Sequence, residues 1–549
     1  MHVGSAVKKR WPWLLLATIV LLAWGQSVTF QFVWDDQYFI QDLKSIRSLT
    51  FAPEMFYRLD AQSSYPEGFV LFRPLRTLHH AILFAMGGGE TPKPWLFHLA
   101  NLAWHCAASI LLYELLLLLL GRESRSEGTN IRWIALLGAT AFAVHPVVSE
   151  VVCWAKSLDD LMAATFVLAS CCALLRWEPE RPSQRAYLCA VLFFALAVYS
   201  KESAVPFALF CIPFLAWRTQ RSWTSVLRLS APFLIVAVLF VVHRHLVIGR
   251  TSQTAPLSGS YAQTLIDTLP AGPIYARLLA GVPPFCIDYS YMKAGHGLTS
   301  PTVMFGIVIL IAVTAACALC FHRRLLLVGA GSLWLLLFML PFSNVVPMMQ
   351  FCAERFLYLP MLGVVVALAA FVALAHRRRL VMNFSVVIVI AWAALAWNRS
   401  WIWRDGVTLF VRSHIEGPTS SRLQDNAIAA VFNQPHMHPV FALAQRPAAS
   451  SASIPSPAQP LPPENWELIE ATLTQLQGLF PSNATVNSAF AISKARQGKA
   501  KEAIPYFLLA AQQQPKDALM WNNLGQAWIE AGEFDRAQEA YCQASALTQ

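Results

Sequence analysis

The sequence predicts an all-α, polytopic membrane protein that carries a C-terminal α-solenoid. Three observations lead there. Hydrophobic residues make up 56% of the 549 positions and charged residues only 13%, against about a quarter charged in an ordinary soluble domain. Long apolar runs recur through the first 400 residues, and a helix needs roughly 20 such residues to cross a bilayer with its backbone satisfied internally. The C-terminal part instead shows small and aromatic residues at a period of about 34.

Eleven apolar spans fall near 11–30, 95–120, 131–149, 158–177, 185–199, 203–218, 229–248, 302–321, 325–341, 356–375 and 380–397. The two at 185–199 and 203–218 are short and read as re-entrant or kinked. Basic residues set the orientation. Lys8, Lys9 and Arg10 precede the first span. Then follow Arg122, Arg125 and Arg132; Arg176, Arg181 and Arg185; Arg218, Arg221 and Arg228; Arg323 and Arg324; and Arg377, Arg378 and Arg379. With eleven spans every cluster falls on one side, which the positive-inside bias makes cytoplasmic. The N-terminus is then cytoplasmic and the C-terminus exoplasmic. The net charge of +10 is read as this orientation signal and not as a nucleic-acid footprint. A cleaved signal peptide ending at Ala23-Trp24-Gly25 is the alternative for the first span. The eleven cysteines are scattered without paired spacing and read as small core residues.

The membrane domain is assigned to 1–404, a linker to 405–463 and a repeat domain to 464–549. The first outer loop, 31–94, contains a short apolar stretch at 78–86 that suits a helix lying in the interface. A second large outer loop, 249–300, holds a similar stretch from Ile274 to Leu279. Residues 435–463 are rich in Pro, Ala and Ser, as linkers are. With Ala518 as position one of a repeat, Trp521, Leu524, Gly525, Trp528, Gly532, Ala537, Tyr541 and Ala544 fall on tetratricopeptide positions. One repeat earlier, Gly498, Ala503, Phe507, Ala510 and Pro515 fall in register. Repeats are therefore expected near 484–517 and 518–549, with a degenerate third unit at 464–483. Small residues let paired helices approach, and the concave face of such arrays binds partners.

Candidate chemistry starts at Trp34-Asp35-Asp36, directly after the first span. Two adjacent carboxylates in a low-dielectric pocket do not both ionise easily, so one is expected to have a raised pKa. One could accept a proton from a hydroxyl while the other orients it or binds a cation. A solvated turn is the bland alternative. Next is Arg73 in Phe72-Arg73-Pro74-Leu75, with Arg76 and His79-His80 nearby. Its guanidinium fork suits phosphate oxygens, or lipid headgroups. His145-Pro146 with Glu150 comes third, followed by Lys156 and Asp159-Asp160. Ser200-Lys201-Glu202 and Glu354-Arg355 complete the set. Each alone reads as a structural ion pair. Together, at five loops on one face of the membrane, they suit a pocket for an anionic headgroup. His243-x-His245 and His436-Met437-His438 lack a third ligand, so no metal is required, although a divalent cation is left open. Walker, Rossmann, G-x-S-x-G and H-E-x-x-H motifs are missing from the sequence.

These segments, in this order, resemble the transmembrane O-mannosyltransferases that carry tetratricopeptide repeats, of the GT-C glycosyltransferase class. The likeness rests on Trp34-Asp35-Asp36, Phe72-Arg73-Pro74-Leu75, His145-Pro146 with Glu150, Ser200-Lys201-Glu202, and Ala353-Glu354-Arg355 through Leu357-Tyr358-Leu359-Pro360. Asn398-Arg399 and Trp403-Arg404-Asp405 add to it. The resemblance implies a polyprenyl-phosphate sugar as donor and inverting transfer to a hydroxyl of a protein or glycan on the non-cytoplasmic side. By that likeness Asp35 is the candidate base and Asp36 its assistant. Arg73, Lys201 and Arg355 are expected to hold the lipid phosphate, with His145, Glu150, Glu202 and Glu354 in support. The family's Arg-Ala-Asp-Leu segment is replaced by Lys156-Ser157-Leu158-Asp159-Asp160-Leu161, and the repeat array is shorter than in typical relatives. The Arg- and Trp-rich composition suggests a bacterial inner membrane, with the repeats in the periplasm. Two other readings remain: an oligosaccharide ligase or polymerase with a diphosphate-linked donor, using Arg250, Arg277 and His296, and a non-catalytic scaffold that docks partners on its repeats.

Overall fold

The computed structural model describes residues 3–416 and 469–547, apart from 67–70, 124–127, 181–183, 251–253, 290–291, 293–294, 471–472, 475 and 479–482. The linker expected at 435–463, and much of the third repeat expected at 464–483, lie outside the described residues. The described residues are helical or irregular, with no strand among them. The chain forms two compact units, Met1–Asp405 and Gly406–Gln549.

In the first unit the apolar runs become helices because a chain surrounded by lipid must pair its backbone groups within each segment. They are α1 (Val3–Trp24), α3 (Pro94–Glu123), α4 (Gly128–Ala143), α6 (Leu158–Arg176), α7 (Arg185–Ser200), α8 (Phe207–Thr219), α9 (Trp223–Ile248), α12 (Pro301–His322), α13 (Leu326–Met339), α14 (Tyr358–Leu374) and α15 (Arg378–Ser400). The short helix α2 (Pro74–Gly87) lies in the first long loop, and α10 (Tyr261–Thr268) and α11 (Ala271–Leu279) lie in the second, where interfacial stretches were expected. A further short helix, α5 (Ser149–Cys153), follows α4 after a break at His145-Pro146.

Seven of these segments are long and apolar enough to cross a membrane, and the bent pair Ile131–Ala143 and Pro146–Cys153 would make an eighth. The expected eleven differ in the short members: α7, α8 and α13 are helical but below spanning length. The chain is nonetheless an integral, multi-pass membrane protein. The peripheral helices α12 and α15 are only 17% and 11% buried within the molecule. Large apolar side chains such as Phe305, Ile311, Phe384 and Ile390 face outward on them, a pattern that requires lipid as solvent.

The span at Ala155–Arg176 is 83% buried, and its helix α6 packs against α3 and α7. Backbones approach closely where glycine allows. A Cβ on Gly331 of α13 would come 2.3 Å from the carbonyl oxygen of Gly363 on α14.

In the second unit two helix pairs stack: α17 (Ala484–Arg496) with α18 (Ala500–Gln513), and α19 (Ala518–Ala531) with α20 (Phe534–Ala546); α16 (Gly406–Glu416) comes before them in the chain. Asn483 caps α17 by accepting from the Thr485 and Val486 amides, and Asp517 caps α19 by accepting from Leu519. Side-chain caps of this kind satisfy the orphan donors of a helix start. Gly532 ends α19 at φ +84°, a conformation glycine adopts without cost. The repeat pattern has a direct packing cause at Gly525, where a Cβ would lie 2.9 Å from the Tyr541 ring. Gly525→Val in the full-length protein should therefore destabilise this unit by about 1–3 kcal/mol through overpacking. Faster limited proteolysis of the repeat segment, with the membrane unit still intact, is the expected readout.

Candidate active site

The first loop begins with a strained turn. Trp34 takes φ +56°, a region that costs a non-glycine residue of order 1–3 kcal/mol unless its surroundings impose it. Here the surroundings do. The Trp34 ring stacks on Trp154 at 4.7 Å and 11°. Trp154 in turn stacks on Trp403 at 6.2 Å, and its indole N–H donates to the Val33 carbonyl.

Asp36 closes the turn. One carboxylate oxygen accepts the Val33 amide at 2.9 Å and the other accepts the Lys156 amide at 2.8 Å. The side chain is fully buried. Burial pushes its carboxyl up to about 8, against the pull of the two amides, while the charge of Asp35 adds only a minor part. The raised value expected of this pair thus belongs to Asp36 and arises from desolvation. Asp36 ties two loops together and presents no free oxygen to an incoming hydroxyl. Asp35, its neighbour, keeps 14% of its side chain exposed and lies 3.6 Å from the Lys156 ammonium.

Behind Asp35 is a buried ionic network. Arg73 donates to both oxygens of Glu202, at 3.0 and 2.6 Å, and to Asp159. Asp159 also faces the Arg76 guanidinium at 3.7 Å and the Lys201 ammonium at 3.6 Å. Lys201 donates to Asp160. Arg76 is fully buried over the Phe39 ring, 4.6 Å from its centroid, and burial lowers its pKa to about 10 although Asp159 opposes this. Burial raises the Glu202 carboxyl, but the charge and hydrogen bonds of Arg73 outweigh it and hold the group near 2.

Two further pairs flank this network. The Arg355 guanidinium donates to Glu150 and to Gln350, and its backbone amide donates to the other Glu150 oxygen at 2.9 Å. Glu354 accepts from the Cys286 amide at 2.7 Å, the Tyr289 hydroxyl at 3.1 Å and Arg399 at 2.7 Å. Arg399 also donates to Ser149. These contacts bring the first loop, α5 and the ends of α7 and α15 to the same place as the starts of α2, α6 and α14.

Several expected roles look different in this geometry. Arg73 and Lys201 were read as phosphate ligands. Their side chains are only 8% and 6% exposed, and carboxylates already engage them. Arg355 keeps 15% exposure. Glu202 and Glu150 neutralise cations, and Glu354 anchors the second long loop to α15. His145 lies apart from the acids. Its Nδ1 accepts the Val147 amide, and Nε2 donates to the Leu279 carbonyl at 3.2 Å, which holds the α4–α5 break against α11. The loop residues of the ligase reading are committed locally: Arg277 to the Val282 and Pro284 carbonyls, and His296 to Asp267.

Sequence reasoning noted Lys156, Asp159, Arg76 and Arg399 but gave them no role; they complete the network. An ionisable residue at the end of an apolar span, as Arg399 is, carries the signal that would have found it. Among the described residues no group of three or more His, Cys, Asp or Glu is placed to hold a metal. A small apolar cavity of about 80 Å³, lined by Cys171, Phe210, Trp217 and Trp334 among others, touches none of these charged groups.

No family model matches the chain. Curated proteins do. Protein O-mannosyl-transferase TMTC4 of Homo sapiens is 26% identical over 218 residues, 37% of this chain and 29% of its own length. Protein O-mannosyl-transferase TMTC3 of Mus musculus is 23% identical over 482 residues, 76% of this chain and 49% of its own length. The chain is thus similar, over part of their length, to proteins named protein O-mannosyl-transferases. It spans half or less of the length of these two relatives. Among solved structures, the oligosaccharyltransferase AglB from Archaeoglobus fulgidus, in complex with an inhibitory peptide and a dolichol-phosphate, matches 83% of this chain and 62% of its own. Identity there is 13% and the TM-score 0.41, too low a likeness to carry weight for the site.

Removing one member of a buried ion pair leaves an uncompensated charge, at a cost of about 3–5 kcal/mol. Asp159→Asn, which strips Arg73, Arg76 and Lys201 of a shared partner, should destabilise the membrane unit by that amount. Asp35→Asn should cost about 1 kcal/mol or less. Thermal unfolding of the purified variants in detergent separates the two. Acid should act through Glu202. Its folded value lies below the ordinary 4.5, so its contribution is full above pH 4.5 and fades as pH falls toward 2.

Proposed function

We propose that the chain is an inverting glycosyltransferase. It moves a sugar from a polyprenyl-phosphate donor to a hydroxyl of a protein acceptor on the exoplasmic side of the membrane. The observation that carries this reading is the setting of Asp35: a partly open carboxylate beside Lys156, on a floor of neutralised buried charge. The names of the relatives support mannose as the sugar and protein as the acceptor. The meeting of loop ends at one end of the bundle supports a single exoplasmic site.

The chemistry follows from placement. Asp35 accepts the proton of the attacking hydroxyl as the new bond to the sugar's anomeric carbon forms. The bond from that carbon to the phosphate oxygen breaks, and the lipid phosphate departs with the electron pair. A fixed cation beside the developing charge lowers the barrier because it needs no reorganisation. Arg355 fills that role, with Glu150 and Gln350 holding its fork in place. Asp36 is a positioning residue that sets the turn carrying Asp35. Arg73 and Lys201 act through their carboxylates, as the scaffold of the pocket. The lipid tail lies in the bilayer between helices, and the repeats present the acceptor. The domain limits 1–404, 405–463 and 464–549 belong to this proposal.

Loss of a general base typically costs about 10²–10⁴-fold in rate. Asp35→Asn should therefore lower transfer from polyprenyl-phosphate mannose to a Ser/Thr-containing peptide by that factor, with thermal stability retained. Purified full-length protein and a radiolabelled donor measure this. Retained activity in the Asp35→Asn variant would overturn the reading.

A further inference from the structure

Within the charged cluster, Lys156 is engaged differently from most of its neighbours. Arg73, Lys201, Arg355 and Arg399 each donate a hydrogen bond to a carboxylate. Lys156 does not. Its ammonium stops 3.6 Å from Asp35 Oδ2, beyond hydrogen-bond distance for an N–H donor. It rests instead over the Trp154 ring at 4.4 Å and the Phe39 ring at 5.1 Å. Arg76 shares that lack of a bonded carboxylate but is closed from solvent, whereas Lys156 keeps 9% of its side chain exposed. An ammonium has three donors and no acceptor, so the seat is aromatic and the donors remain available.

Arg355 approaches the same indole, with its guanidinium carbon 5.8 Å from the Trp154 ring centroid. Two cations therefore border one aromatic platform with Asp35 beside them. A phosphate monoester or diester, with several acceptor oxygens, fits two such cations better than a single carboxylate does.

We infer that Lys156 serves Asp35 and the donor phosphate in turn, so that donor loading releases the base. This rests on the donor reading above. With the phosphate bound, the ammonium moves to the phosphate oxygens and Asp35 loses its counter-charge. A carboxylate without a neighbouring cation is a stronger base. Asp35 then takes the acceptor's hydroxyl proton as the sugar is transferred, and the departing phosphate keeps Lys156 until it diffuses away. The other groups within electrostatic reach of Asp35 are Asp36 and Tyr38 of its own loop, Arg76 of α2 and Arg355. Of these, Lys156 is the cation that keeps a little side-chain exposure, 9%, without a hydrogen bond to a carboxylate.

The test uses purified full-length protein, with farnesyl phosphate as a sugar-free probe and polyprenyl-phosphate mannose as donor. Wild type should bind farnesyl phosphate. Lys156→Met, which keeps the apolar stem over Trp154, should bind it at least tenfold more weakly and raise the donor KM by a similar factor. Lys156→Arg should restore part of the binding. The pH profiles distinguish a switch from a merely structural role. In wild type the acid limb of kcat, which reports the donor-loaded enzyme, should lie at higher pH than the acid limb of kcat/KM, which reports the free enzyme. In Lys156→Met the two limbs should coincide. Unchanged probe binding and separated limbs in Lys156→Met, with wild-type transfer intact, would overturn this inference and leave the role of Asp35 standing. Failure of wild type to bind farnesyl phosphate or to transfer sugar would overturn the donor reading, and this inference with it.

Discussion

The buried carboxylate of Asp36 is the constraint on which this end of the molecule depends. It joins two loops that lie 120 residues apart in the sequence, through the amides of Val33 and Lys156. That junction, together with the stacking of Trp34 on Trp154, holds the left-handed turn and sets the distance between Asp35 and Lys156. Burying an acid is costly. The two amide donors and the stacked indoles of Trp34, Trp154 and Trp403 make the arrangement tolerable.

Around that junction the protein places charges where lipid and packed helices would ordinarily exclude them. Desolvating an ion costs several kcal/mol even after relaxation, so each buried charge needs a partner. The partners come from distant segments: Arg73 with Glu202, Lys201 with Asp160, Arg355 with Glu150, Arg399 with Glu354. Such a network adds little net stability over an apolar core. It does dictate which loop meets which, because a misplaced loop would leave a charge uncompensated.

Much of the architecture was legible in the sequence because it follows from local rules. Apolar runs became helices, the first loop carried a short helix, and the repeat glycine at 525 met the repeat tyrosine at 541. What the sequence hid was the pairing. Glu202 adjoins Lys201 in the chain yet bonds to Arg73, 129 residues away. Charge type alone could not say that Arg73 and Lys201 would be spent on carboxylates while Lys156 kept its donors. Nor could composition decide the fate of the short apolar segments. Helices α7 and α13 are apolar enough to belong in a bilayer but too short to span it by length alone.

The formal charges of the cluster nearly cancel. Asp35, Asp159, Asp160, Glu150, Glu202 and Glu354 stand against Arg73, Arg76, Lys156, Lys201, Arg355 and Arg399. A cluster so balanced projects little field beyond itself, so it does not draw anions out of bulk water. The lipid-anchored donor proposed above would have no need of such guidance. It would arrive by two-dimensional diffusion within the leaflet, at an encounter rate governed by membrane fluidity and surface density, with little sensitivity to the ionic strength of the surrounding medium.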